Sequence, residues 1–205
     1  MEILGWFARR AKVGEAGVFS ARAIRLFGQG GWLGGGVRLF FRARFEGWER
    51  IVEPAPCLIV VNHSGGGGGD VAVLATQWAE TFAREHTLAA MAHPLTFMVP
   101  GVARLVRSFG AIPSAYEVAL ETLRGGTSVL VFPGGDHEAF RPLWEARRVD
   151  FNGRQGFLRL AREAEVPILP VGLRGTHYTV PILWRSRALA SSTSSRDSWG
   201  SSASP

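Results

Sequence analysis

Residues 57–70 are Cys-Leu-Ile-Val-Val-Asn-His-Ser-Gly-Gly-Gly-Gly-Gly-Asp, an apolar run that ends in polar residues and a glycine repeat. A short continuous apolar run bounded by turn-forming residues is typical of a strand buried on both faces of a parallel sheet. Residues 71–85 follow with apolar side chains at helical spacing. The stretch therefore predicts a strand, a glycine-rich loop and a helix in succession, which is the repeating unit of an α/β protein.

Strand and helix patterns continue to alternate on both sides of this stretch. Further strand patterns occur at residues 37–47, 87–91, 127–133 and 166–175. Further helix patterns occur at residues 99–109, 114–126 and 152–165. A turn is predicted at residues 110–113, and Ser114 and Glu117 have the spacing of a capping box at the start of the next helix. We therefore expect an α/β fold with a mainly parallel sheet flanked by helices.

Three segments of the chain differ in composition. Residues 1–36 mix apolar residues with arginines and glycines, residues 37–187 carry the α/β pattern, and residues 188–205 are rich in serine, which predicts a disordered tail. The first segment is either an ordinary packing helix or an interfacial segment that lays Phe7, Trp32 and Leu33 on a membrane. No run approaches the roughly 18 to 20 apolar residues that span a bilayer. We expect peripheral attachment to the cytoplasmic face of a membrane.

The charge of the chain indicates anionic partners. The 23 basic residues exceed the 17 acidic ones, and the formal net charge is +6. Lys12 is the only lysine, which leaves no candidate for a phosphate-loop lysine or for a lysine that binds pyridoxal phosphate. The only cysteine, Cys57, excludes internal disulfides and a multi-cysteine zinc site, and its apolar neighbours indicate a buried thiol. Such a charge suits nucleic acid, lipid head groups or phosphorylated cofactors, and because the arginines form no nucleic-acid motif we do not expect nucleic acid as a partner.

The polar residues after the first apolar run are candidates for chemistry. The glycines do not satisfy the dinucleotide pattern G-x-G-x-x-G, and the serine-hydrolase pattern G-x-S-x-G does not occur in the chain. His63 can serve as a general base whose tautomer Asp70 holds. The alternative is that His63 only caps the strand and that the glycines form a tight turn.

A second glycine-containing segment, residues 132–142, follows another apolar strand pattern. Its Gly134 and Gly135 would let backbone amides approach a ligand. Glu138 offers such a ligand a carboxylate, and Arg141 offers it a fixed cation. The alternative is a polar turn with solvated arginines. Since both segments follow strands of a parallel sheet, we expect them at the same edge of the sheet.

Four segments in order resemble the phospholipid/glycerol acyltransferase superfamily over residues 45–176. Asn62, His63 and Asp70 resemble its first block, N-H-x4-D, with six rather than four residues between histidine and aspartate. The other three blocks are similar to GAIP at 110–113, VFPGG at 131–135 and VPILPV at 166–171. The FPGG…EA form resembles a branch with phytyl ester synthase-like and diacylglycerol acyltransferase-like proteins. Glycine-rich chain can fold the extra residues outward, so we expect Asp70 to reach His63.

The resemblance implies transfer of a fatty acyl group from an acyl thioester to a hydroxyl of a glycerolipid or related lipid alcohol. The donor would be acyl-CoA or acyl-carrier protein, with no metal or other cofactor. His63 would be the base, Asp70 its support, and backbone amides such as those of Gly65 and Gly66 would stabilise the oxyanion. Another function class stays open, a catalytically inactive lipid-binding domain at the membrane surface. Because family members continue with ordered chain where this one becomes serine-rich, we expect a C-terminally truncated member.

Overall fold

The structure of the protein is a computed structural model, and it describes residues 21–28, 30–50, 56–64, 69–82 and 88–183. Phe7, the four glycines at 65–68 and the serine-rich segment 188–205 lie outside these residues. The interfacial role of residues 1–20 and the disorder of the tail therefore stay predictions. Among the described residues, no helix combines the length and the apolar character that crossing a membrane requires.

The described residues form an α/β fold around one parallel sheet. Its five strands are β1 (Leu58–Val61), β2 (Leu88–Ala92), β3 (Ala111–Pro113), β4 (Ser128–Val131) and β5 (Ile168–Val171). Their order across the sheet is β3-β2-β4-β1-β5, and every neighbouring pair is parallel. The predicted fold class is confirmed.

Helices connect the strands and cover both faces of the sheet. The α-helices of the described part are α1 (Ala21–Phe27), α2 (Trp32–Phe41), α3 (Gly69–Thr81), α4 (Pro100–Ser108), α5 (Tyr116–Arg124), α6 (Gly135–Ala139) and α7 (Gly156–Ala164). Short 3-10 helices lie at Trp48–Arg50, Pro94–Phe97, Leu143–Glu145 and Thr176–Tyr178. Parallel strands need such crossovers because each strand must start again at the same end of the sheet.

The central strands divide their side chains between two apolar clusters. Leu58 and Val60 of β1 face a cluster that α5 and α7 complete. Ile59 and Val61 face a second cluster, to which α1 and α3 contribute and in which Trp78 is the largest fully buried side chain. Since successive residues of a strand point to opposite faces, this division buries β1 on both sides, as its continuous apolar run predicts.

The strand predicted at residues 37–47 is wrong. Residues as far as Phe41 belong to helix α2, and the chain leaves the helix at Arg42, which adopts a left-handed conformation with φ of 47°. The apolar run is compatible with either structure, and packing decides. The Arg38 guanidinium pairs with Glu80 of α3, and the Phe41 ring lies against Gly69 at the start of α3. These contacts with α3 favour the helix.

The predicted turn at residues 110–113 and the predicted cap at Ser114 also need correction. Residues 111–113 form β3, an edge strand, where Pro113 is tolerated because a missing N–H is harmless on the open side. The Ser114 N–H still bonds to Ala92 O of the neighbouring strand, at 2.9 Å. Helix α5 begins after Ala115 without a side-chain cap. The hydrogen bonds of the sheet thus continue as far as Ser114, which the capping-box pattern assigns to the start of the helix.

Candidate active site

The carboxyl ends of three neighbouring strands meet at one edge of the sheet. Strand β1 lies between β4 and β5, with Val60 opposite Val131 and Val61 opposite Val171. The segments that follow these strands therefore emerge side by side, which is where open α/β sheets bind ligands. The prediction that residues 61–70 and 132–141 share an edge is confirmed, because the His63 N–H donates to Glu138 Oε2 at 2.9 Å.

Asp70 contacts the His63 imidazole directly, as predicted. The distance from His63 Nδ1 to Asp70 Oδ2 is 2.5 Å. Asp70 is fully buried in the first turn of α3, and it accepts the backbone N–H groups of Ser64 at 3.0 Å and Val71 at 2.9 Å. Because an ionised carboxylate can only accept hydrogen bonds, this contact requires that His63 Nδ1 carry a proton. The tautomer of neutral His63 that satisfies this bond leaves Nε2 free to take a proton.

The His63 ring is held on a second side by an aromatic neighbour. Its plane stacks on Phe132, with ring centroids 4.4 Å apart and an interplanar angle of 27°. The side chain nevertheless keeps 20% of its surface exposed, whereas Asp70 has none. The arrangement combines a fixed imidazole with access from outside, which general-base catalysis requires.

Glu138 and Arg141 lie behind this histidine and are both buried, with 0% and 1% of their surface exposed. Glu138 accepts the N–H of His63 through Oε2 and the N–H of Asp150 through Oε1, the latter at 3.0 Å. Arg141 Nη1 is 3.4 Å from Glu138 Oε1, and Nη2 donates to His63 O at 3.5 Å. Their predicted role in substrate binding stays a prediction.

The two glycines of the second segment have separate structural roles. A Cβ on Gly134 would lie 2.1 Å from Glu138 Cγ, so the absence of a side chain makes room for that carboxylate. Gly135 has φ of +48°, which favours glycine. Arg154 Nη1 donates to Pro133 O at 3.2 Å and to Gly134 O at 3.0 Å. The ligand contacts predicted for Gly134 and Gly135 stay predictions, as do those of Gly65 and Gly66 outside the described residues.

The segment after β5 contributes polar residues that the sequence analysis did not identify. The Asn62 side chain exchanges two hydrogen bonds with the Leu173 backbone, at 2.9 and 2.7 Å, and the Ser64 hydroxyl contacts that of Thr176. His177 is buried, and burial lowers its pKa, as does the positive charge of Arg141. The sequence marks this segment only by its position, directly after the fourth block at residues 166–171.

Cys57 has the structural role that its sequence context predicts. The thiol is buried, and desolvation raises its pKa, although the Ser128 hydroxyl 3.7 Å away has the opposite, smaller effect. A thiol with a raised pKa is a poor nucleophile at neutral pH. Cys57 is therefore not a second reactive centre.

Comparison with solved structures supports the fold. The chain is similar to the 1-acyl-sn-glycerophosphate (LPA) acyltransferase PlsC from Thermotoga maritima, with a TM-score of 0.51 and 21% sequence identity. The similarity covers 88% of this chain and 68% of that one. At this identity the likeness is one of fold.

Curated proteins share sequence with the same region. Several relatives carry the name "DGAT1/2-independent enzyme synthesizing storage lipids", and those of Bos taurus and Homo sapiens are 31% identical over 127 residues, or 62% of this chain. An uncharacterized protein of Mycobacterium tuberculosis is 26% identical over 151 residues, or 74% of this chain. The matches span 36%, 38% and 42% of the lengths of these three relatives.

The family model described as "Acyltransferase" matches residues 42–174 of the 205 residues, a range that contains every described residue of the His63 site up to Leu173. This range also holds the four segments on which the sequence resemblance rests. The chain therefore belongs to the acyltransferase family.

Proposed function

We propose that this protein is an O-acyltransferase that moves a fatty acyl group from an acyl thioester to a hydroxyl of a glycerolipid or related lipid alcohol. The observation that carries the proposal is the 2.5 Å contact between His63 and the buried Asp70, at an edge of the sheet where the imidazole stays accessible. Family membership supports the reaction class. The names of the storage-lipid relatives support a lipid acceptor.

In the proposed reaction His63 Nε2 accepts the hydroxyl proton while the hydroxyl oxygen attacks the thioester carbonyl carbon. A positioned base of this kind contributes about 10²- to 10⁴-fold in rate. The tetrahedral intermediate then breaks its carbon–sulfur bond, which releases the ester and a thiolate. Asp70 stabilises the imidazolium throughout, and His63 returns its proton to the thiolate or to solvent. The thiolate leaves readily because the pKa of its conjugate acid is about 8.5.

The donor would be acyl-CoA or acyl-carrier protein, and no resident cofactor is needed for these steps. The carbonyl oxygen becomes an oxyanion as the hydroxyl attacks. Backbone amides of the glycine segment that precedes Asp70 would stabilise it, by roughly 3 kcal/mol for each well-aimed donor. This part of the proposal rests on the resemblance, since Gly65 and Gly66 lie outside the described residues.

Helix α2 supports a peripheral contact with a membrane. Trp32, Leu39 and Phe40 are each more than two thirds exposed, and their spacing places them on one side of the helix. The exposed Arg42 and Arg44 follow directly and suit anionic head groups. The face extends beyond residue 36, where the interfacial segment was predicted to end. We propose that this face holds the protein on the cytoplasmic side of a membrane that contains the lipid acceptor.

The test is acyl transfer by the purified chain. Radiolabelled oleoyl-CoA and oleoyl-acyl-carrier protein are offered with vesicles that contain lysophosphatidate or dioleoylglycerol. We expect label in the ester product with the wild type and transfer slowed about 10²- to 10⁴-fold with His63→Ala. His137→Ala is the matched control, since His137 belongs to another histidine–aspartate pair at the same edge. Vesicle binding without transfer by the wild type would support the inactive lipid-binding domain instead.

A further inference from the structure

Glu138 and Arg141 form a buried ion pair in the described part of the site, and the proposed reaction does not use it. Both side chains are almost completely removed from solvent. Taking a carboxylate and a guanidinium out of water is costly unless hydrogen bonds and mutual attraction offset the loss. Burying well-packed apolar residues instead would often be as stable. The partners of the two side chains therefore indicate what the pair does.

The partners of the pair converge on the backbone of His63. Glu138 Oε2 accepts the His63 N–H at 2.9 Å, and Arg141 Nη2 donates to the His63 carbonyl oxygen at 3.5 Å. Arg141 Nη1 and Glu138 Oε1 lie 3.4 Å apart and close the set of contacts. Both polar backbone groups of the histidine are thus bound by one ion pair from the loop after β4.

The fit around Glu138 is too close for a carboxylate that moves to meet substrate. Gly134 approaches the Glu138 side chain so closely that even a methyl group would overlap it. Arg154 in turn binds the carbonyl oxygens of Pro133 and Gly134 and so holds this glycine in place. Glu138 Oε1, the oxygen that does not bind His63, accepts a hydrogen bond from the Asp150 N–H. Each of the two carboxylate oxygens thus already accepts a backbone N–H.

We propose that Glu138 and Arg141 are positioning residues that fix the backbone of His63, and through it the imidazole, against Asp70. The inference rests on the proposed role of His63 and assigns the pair a different role from acceptor binding. A histidine base must be held in place because a misplacement of about 1 Å can cost about 100-fold in rate. A shift of the His63 backbone would displace the imidazole in this way, and the ion pair opposes such a shift.

The geometry requires a carboxylate at position 138. Its two oxygens accept N–H groups from two different residues, His63 and Asp150. A glutamine has one oxygen and one NH₂ group, so it must turn a donor toward one of these N–H groups. It also removes the charge that faces Arg141. Glu138→Gln therefore keeps the shape of the side chain and breaks the set of bonds.

The experiment measures kcat and KM of Glu138→Gln and Arg141→Lys with oleoyl-CoA and two acceptors, lysophosphatidate and dioleoylglycerol. We expect kcat to fall by up to about 100-fold for both acceptors, with little change in KM, since the pair does not touch substrate. Glu145→Gln, in the same loop, is the control and retains the wild-type kcat. A rise in KM for lysophosphatidate alone, with kcat unchanged, would overturn the proposal in favour of phosphate binding by Arg141.

A second measurement needs no activity. Amide hydrogen exchange at His63 and at Asp150 is compared between the wild type, Glu138→Gln and Glu145→Gln. We expect faster exchange at one of these two N–H groups in Glu138→Gln alone, because the single oxygen of glutamine can accept only one of them. Equal exchange in all three proteins would contradict the positioning role. A wild type that transfers no acyl group would count against the proposed function, whereas the exchange result would still decide between the two roles of Glu138.

Discussion

Two histidine–aspartate pairs lie at the same edge of the sheet, and their surroundings differ. His63 Nδ1 is 2.5 Å from Asp70 Oδ2, and His137 Nε2 is 3.3 Å from Asp150 Oδ2. Asp70 is completely buried, whereas 33% of the Asp150 side chain is exposed. Both histidines keep about a fifth to a quarter of their side chains exposed, at 20% and 24%. The pairs differ mainly in how the carboxylate is held.

The two carboxylates are held with different firmness, and this favours His63 over His137 as the proposed base. Asp70 is anchored in a helix N-terminus by two backbone N–H groups, so its direction toward His63 is fixed. Asp150 is bound by the Asn152 N–H, which is the main cause of its lowered pKa, and it also faces Arg148 at 3.7 Å. Solvent and a competing cation weaken the hold of Asp150 on His137.

The largest expected effect comes from exchanging the buried carboxylate. Asp70→Asn keeps the shape of the side chain but removes the charge that stabilises the imidazolium and selects its tautomer. We expect kcat to fall by about 10²- to 10⁴-fold. The control His137→Gln alters the other pair, and we expect activity within about twofold of the wild type, as for an ordinary surface change. Similar losses in both variants would remove the distinction between the pairs.

The second prediction concerns the glycine that makes room for Glu138. Gly134→Ala places a methyl group against the Glu138 side chain, and such overpacking costs typically about 1–3 kcal/mol of unfolding free energy. Gly172→Ala is the matched control, because Gly172 also follows a strand and has open space where a Cβ would lie. Urea unfolding of both variants measures the difference. Equal stability would show that the loop after β4 yields easily and cannot hold His63.

The third prediction concerns the exposed apolar side chains of helix α2. The Phe41 ring at the end of α2 contacts Gly69, next to Asp70, so the C-terminal end of α2 lies close to that pair. We expect Leu39→Ser with Phe40→Ser to weaken vesicle binding about tenfold or more, since each removes apolar area worth about 1.5–3 kcal/mol when buried. Leu158→Ser, which alters an exposed leucine of α7, should bind as the wild type does. Vesicle sedimentation distinguishes these outcomes.

The smallest effect concerns the pH dependence of stability. Burial, the charge of Arg141 and that of His63 lower the pKa of His177 below 6.5, while Asp70 acts in the opposite direction. Between 6.5 and the lowered pKa the unfolded chain binds a proton that the folded chain does not, so unfolding free energy falls as pH falls through this range. Asp150, whose pKa is lowered from 3.8, affects only more acidic solutions.

His177→Gln should therefore reduce the loss of stability on acidification. Urea unfolding at about pH 7.5 and about pH 5.5 brackets the range in which a histidine titrates. We expect the difference in stability between the two conditions to be smaller in the variant than in the wild type. An identical difference would show that His177 is not held neutral by its surroundings.

The sequence predicts those parts of the fold whose signal is local. The apolar run at 57–61 identifies β1 because burial on both faces leaves no polar position in a strand. The contact between His63 and Asp70 is predictable because only a short glycine-rich stretch separates them. The strand at 37–47 fails because its apolar residues suit a helix as well, and contacts with Gly69 and Glu80 decide between the two.

The surroundings of the site were beyond sequence reasoning because they depend on distant residues. Arg141 meets the His63 carbonyl across 78 positions, and Thr176 meets Ser64 across 112. Glu138 and Arg141 have a pattern that suits solvent-facing ligand groups equally well, and only the fold shows that they are buried. Their burial is set by the neighbouring strands β1 and β4, whose pairing no local motif specifies.

The most direct test of the central claim is whether His63 and Asp70 act as one unit. Acyl transfer is measured over long incubations for His63→Ala, Asp70→Asn and the double variant, with oleoyl-CoA and the best lipid acceptor. Groups that act as a unit give strongly non-additive losses. We predict that Asp70→Asn lowers the rate in the wild-type background and has no further effect once His63 is alanine. Losses that multiply in the double variant would contradict the account, because Asp70 would then act independently of His63.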